Sequence, residues 1–589
     1  MEKLIDQISH VLADGFAAAG YDPALGKAVV SNRPDLCQYQ CNGAMAGAKQ
    51  YHKAPFMIAQ AVVDAIGPNP MFSKLEMVRP GFINLDLSPA FLAQRLTELE
   101  ADPLRGVEQA QAPLTIVVDY GGPNVAKPLH VGHLRSAIIG ESIKRTCRFL
   151  GHKVIGDVHL GDWGLQMGQI ITELHQRQPD LPYFDPDFEG EYPAEPPFTI
   201  SDLEQIYPAA SARCKVDEEY RKAAQNATWE LQSGRRGYRA LWKHIVNVSV
   251  ADLKANYHKL NVDFDLWYGE SDAQPYIPPM VEEMKAKGYA YLSEGALVVD
   301  VQEESDTREV PPCLILKSDG AAQYETTDLA TIVQRQQDFH PDRMIYLADK
   351  RQELHYVRVF RCAYKTGLLD KDKCSLEYVG FGTMNGKDGR PFKTREGGVL
   401  RLESLIQSVV DAVYEKVMSN GGVSEEEGQE IARKVAIAAI KYGDLSNQPY
   451  KDYIFDIDKF TAFEGNTGPY IMYTMVRIKS ILAKYAAAYP DAQGGEMIAP
   501  ASKSETDLAL TLCRFNEAVY EAYDQKAPNR LCRYIYDLTG ALNQFYVEHN
   551  IMKEPDAARQ AGYIALIKLV LHVLETAIDL LGFSAPDRM

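Results

Sequence analysis

The 589-residue chain holds nine cysteines, and none forms a Cys-x-x-Cys pair. Cys37 and Cys41 are the nearest to each other, and they have no distant partner pair. That is a poor zinc signature, and the odd, scattered set reads as reduced thiols rather than a disulfide framework. No long apolar run is free of charge: residues 564–581 are interrupted by Lys568, His572, Glu575 and Asp579. The spacing predicts an amphipathic core helix there and no membrane-spanning segment. A leader is not expected either, because Met1-Glu2-Lys3 runs straight into Leu4, Ile5, Ile8, Val11 and Leu12, which is helical spacing. Basic charge is short as well, with 62 Lys and Arg against 80 Asp and Glu for a net charge of −18. The chain is therefore not built to coat itself with nucleic acid, although local basic patches can still hold a polynucleotide. There is no internal repeat, and no cluster of carboxylates suggests a resident metal. Together these point to a cytoplasmic globular protein of several domains.

Periodicity divides the chain. The first 112 residues begin with helical patterning and then alternate through residues 75–78 and 82–87 around Pro80-Gly81, as expected of a small α+β domain. Residues 114–118 form a buried-strand run, followed by a Gly-Gly-Pro-Asn turn at 121–124. A helical pattern on Leu134, Ile138, Ile139, Ile143 and Cys147 comes next, then a second strand at 154–158. That is a βαβ unit and so a parallel sheet. Strand patterns return at 344–347 and 376–379, and we expect an insertion at about 173–300 to split a catalytic domain of residues 113–405. The insertion carries an acidic, proline-rich segment and a strand at 297–299. Strands vanish from about residue 431. Amphipathic segments at 431–445, 469–484, 507–526, 531–550 and 557–581, with a Pro/Gly/Ser-rich linker at 490–504, predict an all-α domain over 406–589. The fold class expected is thus α/β: a Rossmann-type parallel-sheet catalytic domain between an N-terminal α+β domain and a C-terminal helical bundle.

The run Lys127-Pro128-Leu129-His130-Val131-Gly132-His133 carries the chemistry. Two histidines three apart at a helix start share one face. The helix N-terminus adds partial positive charge and free N–H donors for an anion. Gly132 leaves room for a flat base or ribose. Alone, such a pair fits capping or zinc binding as well as phosphate binding. Its place after a strand of a parallel sheet favours a nucleotide site.

His-Val-Gly-His matches the first signature of class I aminoacyl-tRNA synthetases, and residues 123–136 resemble the form carried by arginyl-tRNA synthetases. Leu160-Gly161-Asp162-Trp163-Gly164, Tyr324-Glu325-Thr326-Thr327-Asp328, Gly465-Asn466-Thr467-Gly468-Pro469-Tyr470 and the ending 579–589 are similar to that family too. The second signature, Lys-Met-Ser-Lys-Ser, is absent in its usual form. After Phe381-Gly382-Thr383-Met384 stands a glycine-flanked basic loop with Lys387, Arg390, Lys393 and Arg395.

The resemblance implies activation of L-arginine by MgATP and transfer to tRNA(Arg) by a monomeric ligase that needs bound tRNA for the first step. It implies catalytic roles for Lys127, His130, His133, Lys393 and Arg395, with Lys127 replacing the usual second-signature lysine. ATP would meet His130, Gly132, His133, Phe381, Gly382, Met384 and Lys393. Asp119, Asn124, His133, Tyr324, Asp328 and Gln352 would form the arginine pocket, Asp119 standing where the family usually has Glu. Chemistry agrees: a guanidinium is a planar fork of donors that carboxylates can hold at several points. Phe82 and Asn84 would touch the tRNA elbow. Tyr470, Tyr473 and Met589 would meet the anticodon, with Arg477 and Lys479 on phosphates. A small-molecule nucleotidyltransferase would not need the flanking domains, and a noncatalytic tRNA-binding protein would not need Lys127, His130 and His133.

Overall fold

A computed structural model describes residues 1–390, 400–490 and 495–589. The chain packs as two compact bodies. One joins Met1–Gln109 to Phe463–Asp579 and Ser584–Met589; the other joins Ala110–Ala462 to Leu580–Phe583.

The first body starts with α1 (Leu4–Ala18), β1 (Ala28–Val30), β2 (Tyr39–Cys41), α2 (Gly43–Tyr51), α3 (Pro55–Ile66), β3 (Phe72–Val78), β4 (Phe82–Leu87) and α4 (Pro89–Ala101). The strands form an antiparallel sheet in the order β1-β2-β4-β3. Ser88 starts α4 by accepting from the Phe91 N–H, with Pro89 at the first helical position where no donor is lost.

The second body is built on a parallel sheet. Its elements are β5 (Thr115–Asp119), α5 (Val131–Phe149), β6 (Lys153–Asp157), α6 (Leu165–Arg177), α7 (Ile200–Val216), α8 (Glu218–Gln232), α9 (Arg236–Lys259), α10 (Glu270–Ala273), α11 (Ile277–Ala286), β7 (Tyr291–Ser293), β8 (Ala296–Val299), β9 (Cys313–Leu316), α12 (Tyr324–Phe339), β10 (Arg343–Asp349), α13 (Glu353–Lys365), β11 (Ser375–Phe381), β12 (Met384–Asn385), α14 (Leu402–Asn420), α15 (Glu425–Leu445), β13 (Tyr453–Ile454) and α16 (Ile457–Phe460). The sheet runs β11-β10-β5-β6, all parallel. From β5 the chain crosses through α5 to β6 on one side, and later through α12 to β10 on the other. The crevice at the carboxyl ends of β5 and β10 is therefore the switch point, where open α/β sheets bind ligands. Val117, Leu329, Ile332, Met344 and Val359 form the core between this sheet and α12 and α13.

One local expectation changes. The insertion is dominated by helices α7–α9, and its expected strand at 297–299 is present. That strand is β8, in an antiparallel trio with β7 and β9. Strands do not end before residue 431: β13 pairs in parallel with β12 at Met384↔Tyr453 and Asn385↔Ile454. A two-residue strand has no period to read, and it exists because its partner is brought alongside. The division expected at residue 406 falls inside this second body.

The helical remainder of the first body comprises α17 (Gly468–Ala488), α18 (Lys503–Leu512), α19 (Phe515–Gln525), α20 (Asn529–Glu548) and α21 (Ala557–Leu580). The single helix expected over 507–526 is two, α18 and α19. The interruption coincides with Arg514, which donates to the Tyr39 hydroxyl at 3.0 Å, and Asn516, which donates to the carbonyls of Met1 and Gly106. Helix α21 is long and apolar enough to cross a membrane by length and composition alone, but 72% of its apolar window is buried in the fold. This is the core helix its interrupting charges predicted.

Candidate active site

The turn after β5 is shaped before any ligand arrives. Asn124 bridges to Gly161 in the loop after β6, and a Cβ on Gly161 would stand 2.0 Å from the Asn124 Oδ1. Only glycine fits that crossing. Ala126 adopts φ +60°, and its N–H donates to the Ser249 hydroxyl of α9 at 2.9 Å. The strained residue is thus held by the helical insertion. Lys127 follows, with its Nζ 4.6 Å from the centre of the Tyr207 ring of α7.

His130 is the N-cap of α5. Its Nδ1 accepts from the Gly132 N–H at 3.0 Å, and the His133 Nδ1 accepts from the His130 N–H at 3.2 Å. The rings lie 3.9 Å apart. Since both Nδ1 atoms accept, a neutral ring carries its proton on Nε2, and each imidazole becomes an Nε2–H donor at a helix N-terminus. Burial, then the neighbouring His130 and Lys127, brings the His133 imidazole down to about 3. Burial and Lys127 also lower His130. Atoms of the His130 ring occupy the space beside Gly132, where a Cβ would come within 2.7 Å of the ring. Glycine there lets the capping ring fold over the helix end.

The residues flanking the basic loop meet the first signature through backbone and one buried arginine. Val131 N–H donates to the Leu400 carbonyl and Leu402 N–H to the Leu129 carbonyl, so the chain leaving the basic loop runs against the histidine turn. Lys393 and Arg395 lie outside the described residues. At the loop's near end Lys387 pairs with Asp456 at 3.1 Å and Asp458 at 3.2 Å. Phe381 and Met384 are buried. Gly382 sits so close to Asp452 that a Cβ would meet its Oδ1 at 2.5 Å, and its carbonyl accepts from Arg135 of α5 at 2.8 Å.

Toward β10 the surroundings turn acidic. Asp119 ends β5 and accepts at 2.6 Å from Arg335, which also pairs with Asp157 at the end of β6. Burial pushes the Asp119 carboxyl up, opposed by the Arg335 guanidinium. Tyr324 and Asp328 open α12 one turn apart; Tyr324 is 71% exposed, and Asp328 accepts from His355 of α13 at 2.5 Å. Gln352 is exposed at the turn after β10. Asp119 and Asp328 both act on the buried Tyr346 and the half-buried Tyr356, whose rings lie 5.5 Å apart, so both carboxylates lie near one aromatic pair. Glu270, at the start of α10, joins them. Burial raises its carboxyl to about 7, with Asp162 and Asp328 pushing the same way and His159 opposing. Burial likewise raises Asp162 to about 6 against hydrogen bonds from Ser271. Arg135, Glu270, Arg335 and His355 were not singled out from the sequence. Each lies beside a motif residue, but only the chain crossings give it a partner.

In the first body, Phe82 is half-buried, while the buried Asn84 accepts from Gln40 at 2.9 Å. Tyr470 accepts from Asn543, Tyr473 is 51% exposed, and Arg477 lies 4.4 Å over the Tyr546 ring. Lys479 pairs with Asp587 at 3.1 Å, and Met589 is half-buried.

Residues 97–457 match the family model for the catalytic domain of class I tRNA synthetases (R). Residues 471–589 match the DALR anticodon binding domain, and residues 2–87 the arginyl tRNA synthetase N terminal domain. An arginine–tRNA ligase of Agathobacter rectalis is 58% identical and one of Alkaliphilus oremlandii 56% identical, each with 100% of both chains covered. Among solved structures, the arginyl-tRNA synthetases of Plasmodium falciparum and Thermus thermophilus align over 100% of both chains. Their TM-scores are 0.80 and 0.77 at 23% and 22% identity, which speaks for the fold. With a catalytic-domain match over most of the chain and full-length relatives above half identity, this chain belongs to the class I arginyl-tRNA synthetase family.

Proposed function

We propose that the chain is an arginine–tRNA ligase. The carboxylate of L-arginine attacks the α-phosphorus of MgATP, forming arginyl-adenylate and releasing pyrophosphate. A hydroxyl of the 3′-terminal ribose of tRNA(Arg) then takes the arginyl group and releases AMP. The observation that carries the reading is the pairing, at one switch point, of a neutral two-histidine helix start with the carboxylates Asp119, Glu270 and Asp328. The first suits a triphosphate and the second a guanidinium.

The Nε2–H groups of His130 and His133 and the N-terminus of α5 stabilise charge growing on the phosphate oxygens. Lys127 adds a cation, with Lys393 and Arg395 assigned to the leaving pyrophosphate and Gly132, Phe381, Gly382 and Met384 to the nucleotide. Asp119 and Asp328 take the guanidinium, Tyr324 covers the side chain, and Asn124, His133 and Gln352 take the α-amino and carboxylate end. Magnesium enters with ATP as part of that substrate.

Phe82 and Asn84 are assigned to the tRNA elbow. Because Asn84 is buried and bonded to Gln40, Phe82 is the group that can stack. Tyr470, Tyr473 and Met589 are assigned to the anticodon, and Tyr473 offers an open ring face. Domains of 1–112, 113–405 and 406–589, cytoplasmic residence, a monomeric state and a first step that needs bound tRNA complete the proposal. The nine cysteines are all buried thiols with none in a disulfide, which agrees with a reducing compartment.

The test is ATP–pyrophosphate exchange with each amino acid, with and without tRNA. Exchange with arginine alone, and only when tRNA is present, is expected; exchange with another amino acid, or none, overturns the reading. His133→Ala should fold normally and lose about 100-fold or more in exchange rate, as removal of one preorganised donor does elsewhere.

A further inference from the structure

Both carboxylates assigned to the guanidinium already accept from one of the protein's own basic side chains. Nη2 of Arg335 donates to Oδ2 of Asp119 and Oδ2 of Asp157, each at 2.6 Å. Nε2 of His355 donates to Oδ2 of Asp328 at 2.5 Å. Arg335 lies on the same face of α12 as Tyr324 and Asp328, eleven and seven residues further along, so it underlies the pocket. It is 1% exposed, its guanidinium carbon is 5.4 Å from the centre of the Tyr346 ring, and its Nε and Nη1 have no hydrogen-bond partner among the described residues. A fully buried guanidinium that spends a single nitrogen on two carboxylates is not placed for maximal pairing. Its position serves the carboxylates.

We propose that Arg335 and His355 are positioning residues that each tie one oxygen of a pocket carboxylate, so that Asp119 and Asp328 present a single fixed Oδ1 apiece to the substrate guanidinium. A free carboxylate turns about its Cβ–Cγ bond, and binding would have to freeze that rotation. Tying Oδ2 removes that cost beforehand. Unpaired carboxylates in one pocket also repel, so one would take a proton that arginine must then expel. The Arg335 and His355 donors oppose this while leaving acceptor capacity on each Oδ1. A planar guanidinium has divergent N–H groups to meet two separate oxygens at once, which the compact ammonium of lysine does not.

The inference rests on the arginine reading of the pocket. The experiment is ATP–pyrophosphate exchange by the full chain with tRNA present, in the parent, His355→Ala, His355→Gln and Arg335→Lys. His355→Ala should raise KM for arginine about tenfold, the size of one charge-assisted hydrogen bond, with KM for ATP and kcat within about twofold. His355→Gln keeps a donor and should recover most of the loss. Arg335→Lys, whose shorter chain cannot carry its nitrogen as far as Nη2 reaches, should again raise KM for arginine selectively. Equal shifts of KM for arginine, KM for ATP and kcat, or no shift in KM for arginine in either His355→Ala or Arg335→Lys, would overturn the inference. Failure of the parent to exchange with arginine would instead sink the arginine reading itself.

Discussion

At the scale of single residues, the site is organised by which atom of each side chain is already spoken for. His130 and His133 spend Nδ1 on backbone N–H groups and keep Nε2–H for a ligand. Glu270 shows the other side of the same economy. Its carboxyl, raised to about 7 chiefly by burial, is protonated below neutral pH, and the cationic substrate favours the ionised form. KM for arginine should therefore fall as pH rises from about 6 to about 8, and Glu270→Gln should flatten that slope while raising KM at pH 8 by about tenfold. Stability should move the opposite way. A carboxyl raised from 4.5 to about 7 on folding stabilises the folded chain below 4.5, and that contribution is lost as pH rises through about 7. Thermal melts at pH 8 should find Glu270→Gln the more stable chain, by about 1–2 kcal/mol. A parent curve of KM that is flat with pH would remove Glu270 from the pocket. The sequence makes Asp119 and Asp328 visible because motifs carry them. Glu270 was hidden because its meaning lies in neighbours more than 50 residues away in the chain, such as Asp328.

Elements transmit this order. Helix α5 carries the histidine turn at one end and is pinned just inside it by Arg135, which pairs with the buried Asp444 of α15 at 3.0 Å and donates to the carbonyls of Gly382 and Lys451. One side chain thus holds the first signature against the strand end that leads into the second. Arg135→Met would leave Asp444 buried without a cation, a loss of about 3–5 kcal/mol. Adding Asp444→Leu to that variant should regain more than half of the lowered Tm, since removing both charges removes the stranded one. A double variant no better than the single would show that the carbonyl contacts dominate instead. Helical and strand periods foretold β5, α5, β6, β10 and β11 closely, because these elements bury a regular face. Where tertiary contacts overrule the local pattern, as at Arg514 and at β13, periodicity has nothing to report.

At the scale of the whole molecule, the turn after α21 belongs with the catalytic body: Leu580–Phe583 group with Ala110–Ala462, and Ser584–Met589 with the first body. Lys441 of α15 makes the attachment. Its fully buried Nζ donates to the carbonyls of Leu260 and Gly582, each at 2.7 Å, and of Asn261 at 3.3 Å. The cation sits just beyond the carboxyl end of α9, where the helix dipole favours positive charge. Lys441→Met should cost about 3 kcal/mol through the stranded carbonyls and raise amide exchange at residues 580–583 at least tenfold. Unchanged exchange there would place the attachment elsewhere. The sequence by itself determined the fold class, because strand and helix periods are local properties, and its resemblance to a family named the reaction and the motif residues expected to carry it. Only the tertiary structure decided what those residues hold. Arg335 between Asp119 and Asp157, His355 on Asp328, Arg135 on Asp444 and Lys441 on Gly582 all join positions far apart in the chain. Buried charges must find partners, and which partner is in reach is set by the crossings of the sheet.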